Sequence, residues 1–198
     1  MIDSLMCIGS ACEGHELAKK IDLRVKGPVD NLSGKGFYVV ESLFNGTLEK
    51  EVLNKSYRVS KIDHPELYHT RDTAYDFDCG YSMVHNDITQ EETYKEMITR
   101  LNIFKKYVEK AKDNPNMYYL YTLNFTDKDL TKEDLKVMIS KLPQEIVSKI
   151  IVLQTRFCNK AFTEFFPCLF YEDYDFFWRE SPNEARKRFQ DFIKANNL

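Results

Sequence analysis

The sequence predicts an α/β fold, a single layered domain over residues 1–198 with a mainly parallel central sheet flanked by helices. Two apolar runs, 117–123 and 149–155, are typical of strands buried on both faces, and amphipathic helices alternate with them. A third observation is the start of the chain, where a short apolar strand over 4–9 precedes a helix over 12–21. A chain of 198 residues is long enough for one well-packed domain and short for two.

The elements of the first half follow from spacing and turn residues. Residues 37–44 have apolar side chains at helical spacing, although 37–40 alone also fits a strand. A short helix is expected over 48–53. Alternating polar and apolar residues predict a strand over 57–62 and a second alternating stretch within 75–85.

The second half is predicted mainly from helix starts. A long amphipathic helix should end near residue 113, a short strand is expected at 168–171, and a final helix closes the chain. Three sequences are typical of capped helix starts. They pair Thr89 with Glu92, Thr131 with Asp134, and Ser181 with Glu184.

Composition and charge restrict the possible partners and compartment. A net charge of −3 gives no reason to expect binding to nucleic acid or to a membrane surface, and no window approaches the roughly 18 apolar residues of a membrane span. No secretory signal is recognisable. The five cysteines are scattered and odd in number, so a disulfide framework is not expected and a cytoplasmic location is predicted.

Cys12 is the first candidate for chemistry, because it stands where a helix begins after a Gly-Ser turn at the end of a strand. A helix N-terminus stabilises a thiolate, which suits a nucleophile. The alternative is that Cys12 packs against the sheet. Ser10 is a rival nucleophile in the same turn, whereas Cys7 lies within the strand and is expected in the core.

A cysteine nucleophile needs a base, and His85 is the main candidate because it ends an apolar run just before a helix start. Asp87 or Asn86 would then orient its imidazole ring, which completes a Cys–His–acid arrangement. The alternative is a loop histidine, with Asp87 forming a local turn. His15, three residues after Cys12, is the second candidate base.

No cofactor or metal is expected. No glycine-rich phosphate loop occurs, and the spacing of Cys7, Cys12 and His15 is only a weak zinc signal. The acidic and aromatic run 170–178 has two interpretations: a loop that packs aromatic rings on the core, or a platform for a sugar or peptide.

The opening of the chain resembles a bacterial family of unknown function that is described as papain-like cysteine peptidases. The similarity rests on the Gly-Ser-x-Cys turn at 9–12, the pair Leu23-Arg24, the loop Gly27-Pro28-Val29-Asp30 and the segment 84–87. The family has Phe and Trp where this loop has Val29 and Asn31. The resemblance implies Cys12 as the nucleophile and His85 as the base, with Asp30 as a loop residue of the site.

These observations predict a cysteine-dependent hydrolase or acyl transferase acting on a peptide, an amide or a small substrate that contains a saccharide. A non-catalytic binding or accessory module is the alternative, with its ligand on the aromatic run. An enzyme acting on glycans or activated sugars is a third interpretation, in which the carboxyl edge of the sheet forms the cleft.

Overall fold

The fold contains a five-stranded parallel sheet and a four-stranded antiparallel sheet. The structure is a computed structural model, and it describes residues 2–9, 12–34, 36–61, 73–83 and 86–198. The strands in chain order are β1 (Ser4–Cys7), β2 (Arg24–Val25), β3 (Leu32–Gly34), β4 (Tyr57–Lys61), β5 (Thr73–Phe77), β6 (Tyr81–Met83), β7 (Met117–Thr122), β8 (Ile150–Gln154) and β9 (Cys168–Phe170).

The parallel sheet has the order β2-β1-β7-β8-β9, which confirms the predicted α/β class with a mainly parallel central sheet. Met6 lies opposite Tyr119 in the register, and Leu153 lies opposite Leu169. Every residue of β8 is buried, as expected for a strand covered on both faces. Because all neighbours are parallel, the carboxyl ends of the five strands meet at one edge of the sheet.

The strand order defines where a ligand crevice is expected. After β1 the chain moves to one side of the sheet to form β2 and later returns to the other side of β1 to form β7. This reversal makes the gap between β1 and β7 a topological switch point. Open α/β sheets bind ligands at such a point, outside the carboxyl ends of the strands.

Eight α-helices connect and cover the strands within the described residues. They are α1 (Cys12–Lys20), α2 (Val40–Phe44), α3 (Thr47–Leu53), α4 (Glu91–Asp113), α5 (Lys132–Ile139), α6 (Gln144–Val147), α7 (Tyr174–Arg179) and α8 (Pro182–Ala195). Helix α1 packs on α8, and α4 packs on α3 and β7. The helix α7 within the acidic and aromatic run was not predicted, because its sequence has no apolar periodicity and its N-cap Asp173 is one of several acidic residues.

Two of the three predicted helix caps are confirmed. The side chains of Thr131 and Ser181 accept hydrogen bonds from the N–H groups of Asp134 and Glu184. The carboxylates of Asp134 and Glu184 in turn accept the backbone N–H groups of Thr131 and Ser181. The third prediction is wrong, since α4 begins after Gln90 and has no side-chain cap. The carboxylate of Asp87 accepts hydrogen bonds from both the N–H and the hydroxyl of Thr89. Thr89 is therefore part of the turn before the helix and not its N-cap.

The antiparallel sheet has the order β3-β6-β5-β4 and is inserted between β2 and α4. It packs beside the carboxyl edge of the parallel sheet. The hydroxyl of Tyr81 donates to the carbonyl of Ile8, just after β1, at 3.4 Å. The side-chain amide of Asn124, just after β7, donates to the carbonyl of Gly34 at 2.5 Å. The insertion therefore borders the switch point.

One hydrophobic cluster includes buried residues of both sheets, among them Leu120 and Val152 from the parallel sheet and Phe77 and Met83 from the antiparallel one. Two long apolar strands, β7 and β8, lie at its centre. In the part of the chain that the structure describes, no helix is long and apolar enough to cross a membrane.

Candidate functional site at the carboxyl edge of the parallel sheet

Two glycines bring the start of α1 against the end of β7. A Cβ atom at Gly9 would lie 2.6 Å from the backbone nitrogen of Thr122, and a Cβ atom at Gly14 would lie 2.6 Å from its Oγ1. Side chains at either position would therefore push the segments apart. The close approach sets the first residue of α1, Cys12, beside the switch point between β1 and β7.

Cys12 is exposed, but its thiol does not have the lowered pKa that its helix position predicts. Partial desolvation by the surrounding protein is the main cause that raises the pKa of Cys12, and the negative charge of Glu13 adds to it. A backbone hydrogen bond acts in the opposite direction but is the weaker effect. The thiol is therefore protonated at neutral pH unless a base removes its proton.

The other cysteines differ from Cys12 in their surroundings. Cys7 is buried in β1, in agreement with its predicted core position. Burial raises the pKa of both Cys79 and Cys168 to about 11, so that their thiols are poor nucleophiles at neutral pH. Cys158 is exposed like Cys12 and follows β8 on the same edge of the sheet.

The remaining predicted site residues are described only in part. Ser10 and His85 lie outside the described residues. Asp30 lies in the 3-10 helix Pro28–Asn31, which follows β2 at the carboxyl edge, but its side chain is outside the described part. The second candidate base, His15, is half-buried one turn after Cys12 on α1.

Asp87 is engaged by its neighbours in the turn before α4. Its Oδ1 accepts hydrogen bonds from the N–H of Thr89 at 2.9 Å and from the Thr89 hydroxyl at 2.6 Å. These bonds, that of the hydroxyl first, lower the pKa of Asp87 to about 2. The geometry corresponds to the local turn that was the alternative interpretation. Orientation of His85 by Asp87 stays a prediction.

A buried carboxylate organises the loop after β7. Asp127 Oδ1 accepts the N–H of Phe37 at 2.7 Å, and Oδ2 accepts the Tyr121 hydroxyl at 2.5 Å and the N–H of Asn124 at 2.9 Å. Burial raises the pKa of Asp127, partly offset by these bonds. Its carbonyl accepts the side-chain amide of Asn159 at 2.7 Å, which joins the loops after β7 and β8.

Three side chains at this edge, those of Phe125, Arg156 and Phe157, were not predicted as site residues. Phe125 follows β7, and Arg156 and Phe157 follow β8. Tyr174, on α7, lies in the aromatic run that was predicted as one possible ligand platform, and burial, followed by the negative charge of Glu13, raises the pKa of its hydroxyl. Their positions directly after buried strands would have identified the first three, because such residues lie at the ligand edge of a parallel sheet.

Metal ligands do not gather among those residues of the site that the structure describes. Among the described residues there is no group of three or more His, Cys, Asp or Glu side chains that could hold a metal ion. Cys7, Cys12 and His15, which formed the weak zinc pattern, therefore do not make a metal-binding cluster.

The fold and the site together define an α/β protein with a doubly wound parallel sheet and a candidate ligand crevice at its switch point. No protein-family model, curated protein or solved structure matches the chain.

Proposed function

We propose that the protein is a cysteine-dependent hydrolase or acyl transferase with Cys12 as its nucleophile. The observation that carries the proposal is the exposed thiol at the first residue of α1, next to the switch point of the parallel sheet. The resemblance of 9–12 and 84–87 to the family described as papain-like cysteine peptidases supports the same chemistry.

The reaction begins with removal of the Cys12 proton by a base, because the raised pKa keeps the thiol protonated at neutral pH. The sulphur then forms a bond to the carbonyl carbon of the substrate, and the leaving group departs with a proton. His85 is the proposed base. Water, or a second substrate with a hydroxyl or amino group, attacks the resulting thioester and releases the thiol.

The first turn of α1 offers a second contribution. The first N–H groups of a helix have no partner within the helix, and they stabilise negative charge near the N-terminus. The oxygen of the tetrahedral intermediate becomes negative when sulphur attacks the carbonyl. We assign the N–H groups at the start of α1 to this oxygen.

A non-catalytic binding module is the second candidate. The specific observation that favours it is the raised pKa of Cys12, since a binding module has no need for an activated thiol. The crevice and its aromatic side chains would then hold a ligand that is not transformed. The two candidates differ in whether turnover depends on Cys12.

The test is the hydrolysis of a series of aryl esters and aryl thioesters, compared between the wild-type protein and Cys12→Ala. Cys158→Ala is the matched control, because Cys158 is also an exposed thiol that follows a strand of the same sheet. We expect Cys12→Ala to abolish turnover while Cys158→Ala retains it. Equal turnover by wild type and Cys12→Ala, or none by the wild type with any acyl donor, contradicts the proposal and favours the binding module.

A further inference from the structure

A continuous row of aromatic and cationic side chains follows the carboxyl edge of β7, β8 and β9. We call it the aromatic–cation row, and it comprises Lys128, Phe125, Phe157, Arg156, Tyr174 and Trp178. All six come from the segments that follow these strands. The row is accessible, with Phe125 exposed by 57% and Trp178, the one tryptophan of the chain, by 40%.

The half of the row near β7 consists of one cation, Lys128, followed by the rings of Phe125 and Phe157. The ammonium group of Lys128 lies 3.9 Å from the centre of the Phe125 ring, a cation–π contact. Phe125 meets Phe157 edge to face at 5.8 Å. The carboxylate of Asp129 is 3.9 Å from the Lys128 ammonium group, so this cation is partly compensated.

The half near β9 is centred on Arg156. Its guanidinium carbon lies 5.4 Å from the centre of the Phe157 ring and 5.9 Å from that of Tyr174. Tyr174 in turn meets Trp178 edge to face at 6.2 Å. The nearby carboxylate of Asp173 accepts N–H groups at the start of α7. The guanidinium group forms no hydrogen bond or ion pair with any described residue.

The row reaches the proposed nucleophile through one side chain. Tyr174 lies close enough to Glu13, the residue that follows Cys12 on α1, for the carboxylate to add to burial in raising the pKa of its hydroxyl, and the centre of its ring is 5.9 Å from the guanidinium carbon of Arg156. Tyr174 therefore lies between Arg156 and the segment that contains Cys12. A molecule lying along the row would extend to the crevice.

The chemistry of the row defines a ligand class. The N–H groups of a guanidinium group lie in one plane, where they match the two oxygens of a carboxylate or a phosphate, and the group also stacks on aromatic rings. Exposed rings bind a flat apolar group. We infer that the aromatic–cation row binds an organic anion, a molecule with a carboxylate or phosphate held by Arg156 and an apolar planar part against the rings. The inference rests on the proposed function only in taking this anion to be the acyl substrate.

The test uses three small probes, namely phenyl phosphate, benzoate and neutral benzyl alcohol, in titrations with the full chain. Trp178 reports binding by its fluorescence, and ligand-observed NMR provides a second readout. The variant is Arg156→Ala. Arg58→Ala is the control, because Arg58 is an exposed arginine on β4 that is paired with Asp78.

We expect phenyl phosphate, benzoate or both to bind, and benzyl alcohol to bind more weakly. Arg156→Ala should weaken binding of the anion by about ten-fold or more, because a hydrogen-bonded charge pair is lost. Arg58→Ala should leave it unchanged. The stronger of the two anions identifies phosphate or carboxylate as the natural group.

Two results would overturn the inference: no binding of either anion at millimolar concentration by both readouts, or binding that Arg156→Ala leaves unchanged. Failure of this inference can be distinguished from failure of the proposed function. Anion binding that depends on Arg156, together with turnover that does not depend on Cys12, retains the ligand site and rejects the cysteine chemistry. Turnover that depends on Cys12, without binding of either anion, retains the cysteine chemistry and rejects the ligand site.

Discussion

The carboxylate of Asp127 accepts the backbone N–H of Phe37 at 2.7 Å, and this bond joins the end of β7 to the segment before α2. The two elements are 90 residues apart in the chain. The Phe37 ring packs edge to face on Tyr121 at 5.0 Å, and the Tyr121 hydroxyl donates to the same carboxylate. This buried carboxylate thus helps to fix the inserted segment to the carboxyl edge, together with the bonds made by Tyr81 and Asn124.

Replacing Asp127 should destabilise the protein strongly. Asp127→Ala leaves the buried N–H of Phe37 and the hydroxyl of Tyr121 without their acceptor, at a cost of about 2–5 kcal/mol in the free energy of unfolding. Urea unfolding measures this loss. Asp129→Ala, in the same loop but with a carboxylate exposed by 83%, should change stability little. Equal effects of the two variants would disprove the anchoring role.

The contact between Gly14 and Thr122 predicts an unusual effect of alanine in a helix. Gly14→Ala improves intrinsic helix propensity by about 1 kcal/mol. Its Cβ would lie 2.6 Å from Thr122 Oγ1, however, and such overpacking costs about 1–3 kcal/mol. We expect Gly14→Ala to lower the melting temperature, and Thr122→Ala to reduce that loss in the double variant. Stabilisation by Gly14→Ala alone would show that the close approach is absent.

The helix caps predict how stability depends on acid. Hydrogen bonds from Thr131 and Ser181 lower the pKa values of Asp134 and Glu184 below their ordinary values of 3.8 and 4.5. A lowered pKa in the folded state means that the stabilisation is complete above the ordinary pKa and is lost as the pH falls through the lowered one.

Thermal unfolding between neutral and strongly acidic pH measures this dependence. Asp134→Asn and Glu184→Gln should each reduce the loss of stability in acid, because the capping carboxylate that titrates is gone. Lys136→Gln, which changes an exposed charge on α5, is the control. An unchanged acid dependence in both cap variants would contradict the prediction.

The effect of the Glu13 charge on the pKa of Cys12 should be measurable. Because Glu13 raises the pKa of the thiol, Glu13→Gln should lower it and shift the pH profile of iodoacetamide alkylation toward lower pH. Glu16→Gln should have a smaller effect, since Glu16 contributes least among the causes. Peptide mass spectrometry follows each thiol, and the profile of Cys158 serves as an internal control. A shift toward higher pH in Glu13→Gln would be inconsistent with this electrostatic effect.

The parallel sheet could be predicted because each of its main strands carries its own signal. The apolar runs around Leu120 and Val152 are long enough to indicate burial on both faces without any knowledge of their neighbours. The antiparallel sheet could not be predicted in the same way. Its strand β3, Leu32–Gly34, is three residues long and lies in a glycine-containing loop, so that its pairing with β6 depends on contacts distant in the chain.

The candidate site shows the same division. Cys12 was recognisable because the turn and the helix start are local features of the sequence. The direction of its pKa shift was not, since desolvation arises from residues that only the fold brings near. Arg156 and Phe125 could have been identified from their positions after predicted strands, but nothing in their own segments shows that Phe157 connects them.

The most direct test of Cys12 as the nucleophile compares the acylation rates of the two exposed thiols, Cys12 and Cys158, in the wild-type protein at neutral pH. An aryl ester is added, the reaction is stopped in acid, and thioesters are located by peptide mass spectrometry. Without a base, the raised pKa of Cys12 keeps its thiol protonated and slow to react. We predict that Cys12 is nevertheless acylated faster than Cys158, and that His85→Ala removes the advantage. Slower acylation of Cys12 than of Cys158 would contradict its assignment as the nucleophile.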